Sequence, residues 1–92
     1  MSPLAAHEIE SRLNSLADWR VESGELVRTF QFADFVAALG FVNHVGQLAE
    51  QAGHHPDIDI RYNRVRLALV THDAGGLTAK DFDLAARISQ LS

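Results

Sequence analysis

The run Gly53-His54-His55-Pro56 constrains the fold most, because it ends a helix and begins a strand within four residues. Upstream of it, apolar residues recur every three or four positions, which predicts an amphipathic helix over Phe35–Ala52 with Asp34 as its N-cap. The apolar positions are Phe35, Leu39, Val42, Val45, Leu48 and Ala52. Gly53 is placed to end this helix in a left-handed conformation. Pro56 cannot continue the helix and favours an extended backbone in the residue before it.

A hairpin is predicted directly after this run. Residues alternate over Asp57–Tyr62, with the apolar Ile58, Ile60 and Tyr62 on one strand face and Asp57, Asp59 and Arg61 on the other. Asn63-Arg64 is a candidate two-residue turn, and Val65–His72 has the pattern of a second strand. Antiparallel pairing brings the end of one strand beside the start of the other. We therefore expect His72 to lie close to the histidine pair, so that three imidazoles meet at one end of the hairpin.

The N-terminal part of the chain predicts a helix and another hairpin. Ser2-Pro3 is typical of an N-cap followed by proline at the first helical position, and apolar spacing predicts a helix over Pro3–Leu16. Two strands are predicted at Trp19–Glu22 and Leu26–Phe32, joined by a turn at Ser23-Gly24.

A last helix is predicted at the C-terminus. Thr78 is its candidate N-cap, and Asp81, three residues on, completes a capping box. Phe82, Ala85, Ile88 and Leu91 give this helix an apolar stripe. The element order is then α-β-β-α-β-β-α, which predicts an α+β fold: a four-stranded antiparallel sheet with three helices on one face.

The composition limits the kind of protein. Ninety-two residues predict a single domain over residues 1–92. The net charge is −4 and the eight basic residues form no run, so a nucleic-acid partner is not expected. The absence of cysteine excludes disulfides and thiolate metal sites. The sequence contains no basic-then-apolar leader and no apolar stretch of roughly 18–20 residues, so we expect a cytoplasmic protein without a membrane partner.

A histidine cluster suits either a metal ion or proton transfer. One histidine of the pair could bind a metal together with His72 and Glu50, but the helical His spacing of zinc enzymes is absent. Imidazole exchanges protons near neutral pH, which is the chemistry needed to remove water from a carbinolamine. That reaction takes an acid for the hydroxyl and a base for the N–H, and Glu50 or Asp57 can hold a tautomer or bind a polar ring edge.

A larger set of residues extends over nearly the whole chain with consistent spacing. It comprises Glu50-x3-His54-His55-Pro56, Tyr62, Thr71-His72 and Gly76-Leu77-Thr78-x2-Asp81-x2-Leu84-Ala85, with Trp19, Phe30, Phe32, Phe35 and Gly40-Phe41 upstream. Sixteen residues separate His55 from His72. The HHP motif alone is weak evidence, whereas the complete set resembles the signature of the pterin-4a-carbinolamine dehydratases.

The resemblance implies the α+β fold described above and the dehydration of 4a-hydroxytetrahydropterin to quinonoid dihydropterin. It implies catalysis by His54, His55 and His72. We expect His54 and His72 to be the acid–base pair and His55 to help bind the pterin, although the sequence alone does not separate these roles. Glu50, Gly53, Val70, Thr71, Asp73 and Lys80 match substrate-binding positions of the family, and Asp57 joins them because it lies nearest the histidines in the predicted hairpin.

Two residues depart from the pattern of the animal members of the family. Gly53 stands where those members have Asp, so that contact would be lost. Lys80 stands where they have Arg, which keeps the charge without the planar fork.

The resemblance also carries expectations about cofactors and partners. It implies no metal and no cofactor, because the pterin is the substrate. It implies a homodimer or homotetramer with a functional link to an aromatic amino acid hydroxylase, and animal members also act as transcriptional coactivators by binding a dimerisation helix. The alternative hypothesis is a non-catalytic oligomerisation or regulatory binding module with the same fold. A metal-dependent hydrolase is the third hypothesis.

Overall fold

The computed structural model describes residues 2–91, and its elements follow the predicted order. The helices are α1 (Ala6–Leu13), α2 (Phe35–Ala52) and α3 (Ala79–Ser89), and the strands are β1 (Arg20–Glu22), β2 (Glu25–Gln31), β3 (Asp57–Arg61) and β4 (Arg64–Leu69). A short 3₁₀ helix, His72–Ala74, lies between β4 and α3. The ends of the predicted domain, Met1 and Ser92, lie outside the described residues.

The four strands form one antiparallel sheet in the order β1-β2-β4-β3. The two strands of each hairpin pair with each other. The hairpins are joined by pairing of β2 with β4, in which Leu26 lies opposite Leu69 and Phe30 opposite Val65. The apolar residues of one sheet face meet the apolar stripes of the helices in a single buried cluster. Its members include Leu26, Phe30, Val65, Leu67, Leu69, Ala38, Phe41, Val45, Phe82, Ala85 and Ile88. The predicted fold class is confirmed.

The bounds predicted for α2 are confirmed because strong local signals stand at both of its ends. The Asp34 carboxylate accepts a hydrogen bond from the Ala37 N–H at 2.8 Å. Gly53 adopts the left-handed conformation, with φ +62°, and its N–H donates to carbonyls of the last turn. The backbone conformation at Gly53 therefore fixes the direction in which the chain continues to the histidine pair.

The first helix begins at Ala6, so the prediction of a start at Ser2-Pro3 is wrong. The Leu4 N–H donates to the Leu77 carbonyl at 2.8 Å, which holds this segment extended against the loop before α3. Pro3 packs on that loop at Gly76, where an added Cβ would lie 3.0 Å from the proline Cβ. A tertiary contact has therefore replaced the first predicted turn of the helix.

The predicted end of α1 at Leu16 is also wrong, because the helix stops at Leu13. The N–H groups of Ser15 and Leu16 bond to carbonyls three residues back, so tight turns replace the last α-helical turn. In the first hairpin, β1 begins one residue later than predicted, and β2 begins and ends one residue earlier than predicted.

The second hairpin turns one residue earlier than predicted. Arg61 pairs with Arg64, so the turn is Tyr62-Asn63 and not Asn63-Arg64. Tyr62 has φ +51° and is 67% exposed, which makes its assignment to an apolar strand face wrong. The Asn63 side chain donates to the Phe32 carbonyl at 2.8 Å, and the Asn63 carbonyl accepts from the Phe32 N–H. These two bonds hold Asn63 at the second position of the turn.

Strand β4 ends at Leu69, short of the predicted end at His72. The pair formed by Leu26 and Leu69 is the last one between β2 and β4, so the next residues leave the sheet. The chain then bends through the 3₁₀ helix, and Thr71 bridges back to Gly76. His72 consequently lies on a tight loop beyond the sheet.

Candidate functional site

The structure brings all three predicted catalytic histidines to one depression. Its volume is about 300 Å³, at the lower end of the range for small-molecule sites. The residues that line it are Gly53, His54, His55, Val70, Thr71, His72, Asp73 and Lys80. We call this depression the histidine pocket.

Three chain segments build the histidine pocket. The turn after α2 supplies the histidine pair, and the His54 N–H donates to the Ala49 carbonyl at 3.1 Å, which ties this turn to the helix. The segment between β4 and the 3₁₀ helix supplies a second wall. The first turn of α3 supplies Lys80. Each histidine is therefore positioned by a backbone that regular structure holds in place.

A fully buried carboxylate stands behind the histidine pocket. Asp81 is 0% exposed and accepts three hydrogen bonds: from His54 Nε2 at 2.6 Å, from the Thr71 hydroxyl at 2.8 Å and from the Thr78 N–H at 2.9 Å. The two threonine hydroxyls lie 2.8 Å apart. Because the Thr71 hydroxyl proton is used on the carboxylate, Thr78 is the donor in that pair. The buried charge is thus fully compensated by donors.

These bonds orient the His54 ring. The side chain is 12% exposed, and a carboxylate accepts hydrogen bonds, so the proton on this side of the ring belongs to Nε2. The bond made by one ring nitrogen leaves the other as the proton-exchanging atom. Nδ1 is then an acceptor in the neutral ring and a donor in the protonated ring. The arrangement suits a group that must act in both states.

The other two histidines lie in more exposed surroundings. His55 Nε2 is hydrogen-bonded to the Glu50 carboxylate, and the two side chains are 62% and 76% exposed. His72 is the first residue of the 3₁₀ helix and is exposed. Within residues 2–91 its imidazole ring makes no hydrogen bond or ion pair. Both rings can therefore turn towards a ligand at small cost.

Most of the predicted substrate-binding residues line the histidine pocket, and two do not. Gly53, Val70, Thr71, Asp73 and Lys80 are part of its wall. Glu50 lies outside the wall, in the last turn of α2, where its carboxylate is hydrogen-bonded to His55. Asp57 pairs with Ala68 on β4, is exposed and is not one of the residues that line the pocket.

Sequence reasoning identified Asp81 as a helix cap and missed its contact with His54. A signal for that contact exists in the sequence. Asp81, Ala85 and Ile88 follow one another at helical spacing, so the carboxylate lies on the apolar, core-facing stripe of α3. A charged group on such a stripe is buried, and a buried charge requires partners.

Neither a metal centre nor a membrane span is found among residues 2–91. No group of three or more histidine, aspartate or glutamate side chains in this range is arranged to hold a metal ion. No described helix is both long and apolar enough to cross a bilayer.

The molecule is an α+β domain with a histidine pocket that is backed by a buried carboxylate. Comparison with known proteins places this arrangement in a family. The family model for pterin 4 alpha carbinolamine dehydratase matches residues 2–91. A protein of Acidobacterium capsulatum, provisionally named pterin-4-alpha-carbinolamine dehydratase, is 64% identical over 91 residues, which is 99% of each chain. A protein of the same name from Chloroflexus aurantiacus is 63% identical over 91 residues, covering 99% of this chain and 98% of the relative. The chain belongs to the pterin 4 alpha carbinolamine dehydratase family.

Solved structures agree with this assignment. A crystal structure from Brucella melitensis, described as a transcriptional coactivator/pterin dehydratase, has a TM-score of 0.93 at 32% identity and covers 98% of both chains. A pterin dehydratase-like protein identified as a RuBisCO assembly factor in the alpha-carboxysome has a TM-score of 0.64 at 23% identity, covering 79% of this chain and 84% of that one. The second likeness concerns the fold alone. The family resemblance seen in the sequence is confirmed.

Proposed function

We propose that this protein dehydrates a 4a-hydroxytetrahydropterin to quinonoid dihydropterin, with the substrate held in the histidine pocket. The observation that carries the proposal is the meeting of three imidazoles in one depression, with one of them held by a buried carboxylate. Membership of the dehydratase family supports the same conclusion. Histidines that serve only packing have no need of a shared opening.

The proposed reaction breaks the C4a–O bond and one ring N–H bond. A protonated imidazole gives its proton to the hydroxyl, which leaves as water. A neutral imidazole takes the N–H proton, and the electron pair of that bond forms the C=N double bond. One proton is delivered and one is removed, and no electron is gained or lost. The reaction therefore needs no redox cofactor, and each positioned group contributes about 10²–10⁴-fold.

We assign the acid–base pair to His54 and His72, and pterin binding to His55. The ring of His54 has a defined orientation and one nitrogen left for proton exchange. His72 stands on a different segment of the pocket wall, and its ring makes no hydrogen bond or ion pair with any of residues 2–91. The two histidines can therefore address different atoms of one substrate. Asp73 and Lys80 offer charged groups to the polar edge of the pterin, and Val70 offers an apolar surface to its ring.

The test is a spectrophotometric assay in which a hydroxylase generates 4a-hydroxytetrahydropterin and its loss is followed with and without this protein. We expect acceleration by the wild type and a fall of about 10²–10⁴-fold in each of His54→Ala and His72→Ala. His7→Ala is the matched control, because His7 is exposed on α1 and lies outside the pocket. Near-normal rates in both pocket variants, with their folds intact by circular dichroism, would refute the proposal.

The cellular setting belongs to the same proposal. We infer a cytoplasmic homodimer or homotetramer that returns pterin to an aromatic amino acid hydroxylase. Along α2, Phe35, Val36 and Leu39 are 45%, 76% and 38% exposed, which leaves apolar surface for a second copy. Analytical ultracentrifugation of the wild type and of Val36→Glu tests this, and we expect the variant to dissociate. Identical masses at every concentration would remove α2 from the interface.

The same exposed apolar residues favour the second candidate function, a non-catalytic binding module. Under that hypothesis the α2 surface engages another protein and the histidine pocket is not used. The dehydration assay separates the two functions, because a folded oligomer that does not accelerate the reaction leaves only the binding role.

A further inference from the structure

A second depression lies between the chain that follows α1, strand β2 and the end of α3. Its volume is about 450 Å³, within the range of small-molecule sites. It is lined by residues 15–18, by Arg28 of β2 and by Ala86, Ser89 and Gln90 at the end of α3. We call it the arginine pocket. It shares no lining residue with the histidine pocket, so a ligand bound here leaves the dehydration site open.

Arg28 is held in the wall of the arginine pocket by the flat face of its guanidinium group. The guanidinium carbon lies 4.1 Å from the centroid of the Phe30 ring, and the Arg28 side chain is 17% exposed. Stacking on an aromatic ring covers the face of a guanidinium and leaves its in-plane N–H groups available. The contact with Phe30 therefore positions a cation without using its donors.

The N–H donors of Arg28 are only partly used by the protein. Nη1 donates to the Ser89 hydroxyl oxygen at 3.3 Å, whereas Nη2 lies 3.8 Å from the Asp18 carboxylate, too far for a hydrogen bond. Within residues 2–91 the guanidinium makes no other hydrogen bond or ion pair. No buried side-chain nitrogen among these residues lacks a partner, so the unused N–H groups of Arg28 are open to solvent. They can meet a carboxylate that enters the pocket.

Asp18 brings the opposite charge to the same pocket. Its side chain is 76% exposed, and its backbone has φ +72°, a conformation that few residues other than glycine adopt. The next residue, Trp19, is buried and donates from Nε1 to the Ser89 hydroxyl at 2.8 Å, which ties this turn to α3. Within residues 2–91 the Asp18 carboxylate accepts no hydrogen bond. The turn thus presents an exposed anion beside the cation of Arg28.

A cation and an anion that face one pocket without a hydrogen bond between them suit a ligand that carries both charges. A simple anion would pair with Arg28 but would also lie near the Asp18 carboxylate, which repels it. An α-amino acid carries its carboxylate and its ammonium group on one carbon atom, so it satisfies both residues. Its side chain then faces the apolar part of the lining, which consists of Leu16, Ala17 and Ala86.

We propose that the arginine pocket binds a free α-amino acid with an apolar side chain. Arg28 binds the carboxylate through parallel N–H···O bonds, and Asp18 accepts hydrogen bonds from the ammonium group. This binding site goes beyond the proposed dehydratase function and does not depend on it, because the two pockets are lined by different residues.

Trp19 provides a readout of binding. It is the only tryptophan in the sequence, and its indole shares the Ser89 hydroxyl with Arg28, so a ligand that draws on Arg28 should change its fluorescence. The titrants are L-leucine, 4-methylpentanoate, which lacks the ammonium group, and 3-methylbutylamine, which lacks the carboxylate. We expect saturable binding of leucine, and affinities at least about tenfold weaker for each of the other two compounds. Isothermal titration calorimetry repeats the three titrations, so that a silent fluorophore is not mistaken for absent binding.

Two conservative variants test the two contacts. Arg28→Lys keeps the charge but not the planar fork, and Asp18→Asn removes the charge but keeps a residue type that tolerates the left-handed backbone. We expect each variant to weaken leucine binding about tenfold. Asp18→Asn should also strengthen the binding of 4-methylpentanoate, because the repelling carboxylate is gone. Arg64→Lys, at an exposed arginine of β4, is the matched control and should change none of the affinities.

Three results would overturn the inference. They are the absence of leucine binding in both methods, equal affinities for leucine and 4-methylpentanoate, which would define a plain anion site, and leucine binding that is unchanged in both variants. The dehydration assay without added amino acid should give the wild-type rate in Arg28→Lys and Asp18→Asn. A failure of the amino acid proposal is therefore distinguishable from a failure of the proposed function.

Discussion

His54 and His55 are neighbours in the sequence, and each faces a carboxylate, but the two pairs lie in opposite surroundings. His54 reaches Asp81, 27 residues away, in a pair whose side chains are almost or completely buried. His55 reaches Glu50, five residues away, in a pair that is mostly exposed to solvent. The nearer partner in sequence thus forms the more exposed pair.

Burial changes what a histidine–carboxylate pair can do. Water and salt compete with an exposed pair, which contributes about 0–1 kcal/mol. A buried carboxylate must keep its partners, because removing one leaves an uncompensated group in the interior. The His54 pair therefore orients a ring, whereas the His55 pair leaves its ring free to turn towards a ligand.

The largest effect is expected from Asp81→Ala. The substitution removes the acceptor that serves His54, Thr71 and Thr78 and leaves these donors buried. Breaking a buried charged network costs about 3–5 kcal/mol, and we expect the free energy of unfolding in urea to fall by that amount. Asp83→Ala, at an exposed position of the same helix, should change it by about 0.5 kcal/mol or less. Equal losses in the two variants would contradict a stabilising role for the buried network around Asp81.

Asp81→Asn should have the next largest effect, and on activity more than on stability. The amide keeps the shape of the carboxylate but offers only one acceptor oxygen, so Thr78 and His54 compete for it. With the amide nitrogen facing His54, the ring proton moves to Nδ1 and the wrong tautomer faces the substrate. We expect kcat to fall about 10²–10³-fold and the pH profile of kcat/KM to change shape. An unchanged profile with lower stability would reduce Asp81 to a structural role.

Glu50→Gln should have the smallest effect. The Glu50–His55 pair is exposed, so its loss should change the free energy of unfolding by about 1 kcal/mol or less and turnover by less than about threefold. Urea unfolding and the dehydration assay measure the two quantities. A tenfold or greater loss of turnover would show that Glu50 acts on the substrate, either directly or through the ring of His55.

The parts of the fold that could be predicted from the sequence are those whose signals lie within a few residues of one another. The bounds of α2 follow from Asp34 at one end and from Gly53 and Pro56 at the other. The start of α1 could not be predicted in this way, because the contact between Leu4 and Leu77 joins distant parts of the chain. A local pattern at Ser2-Pro3 favoured a helix, and a long-range hydrogen bond prevailed over it.

The same distinction between local and long-range contacts applies to the candidate site. The sequence by itself determined that His54, His55 and His72 lie close together, because hairpin pairing brings the ends of adjacent strands into register. It also determined that Asp81 caps α3, since the bond from Asp81 to the Thr78 N–H spans three residues. Only the tertiary structure decided that the other oxygen of Asp81 holds His54. That contact depends on how α3 packs beside the end of α2, and the packing is set by the shared core of the whole domain.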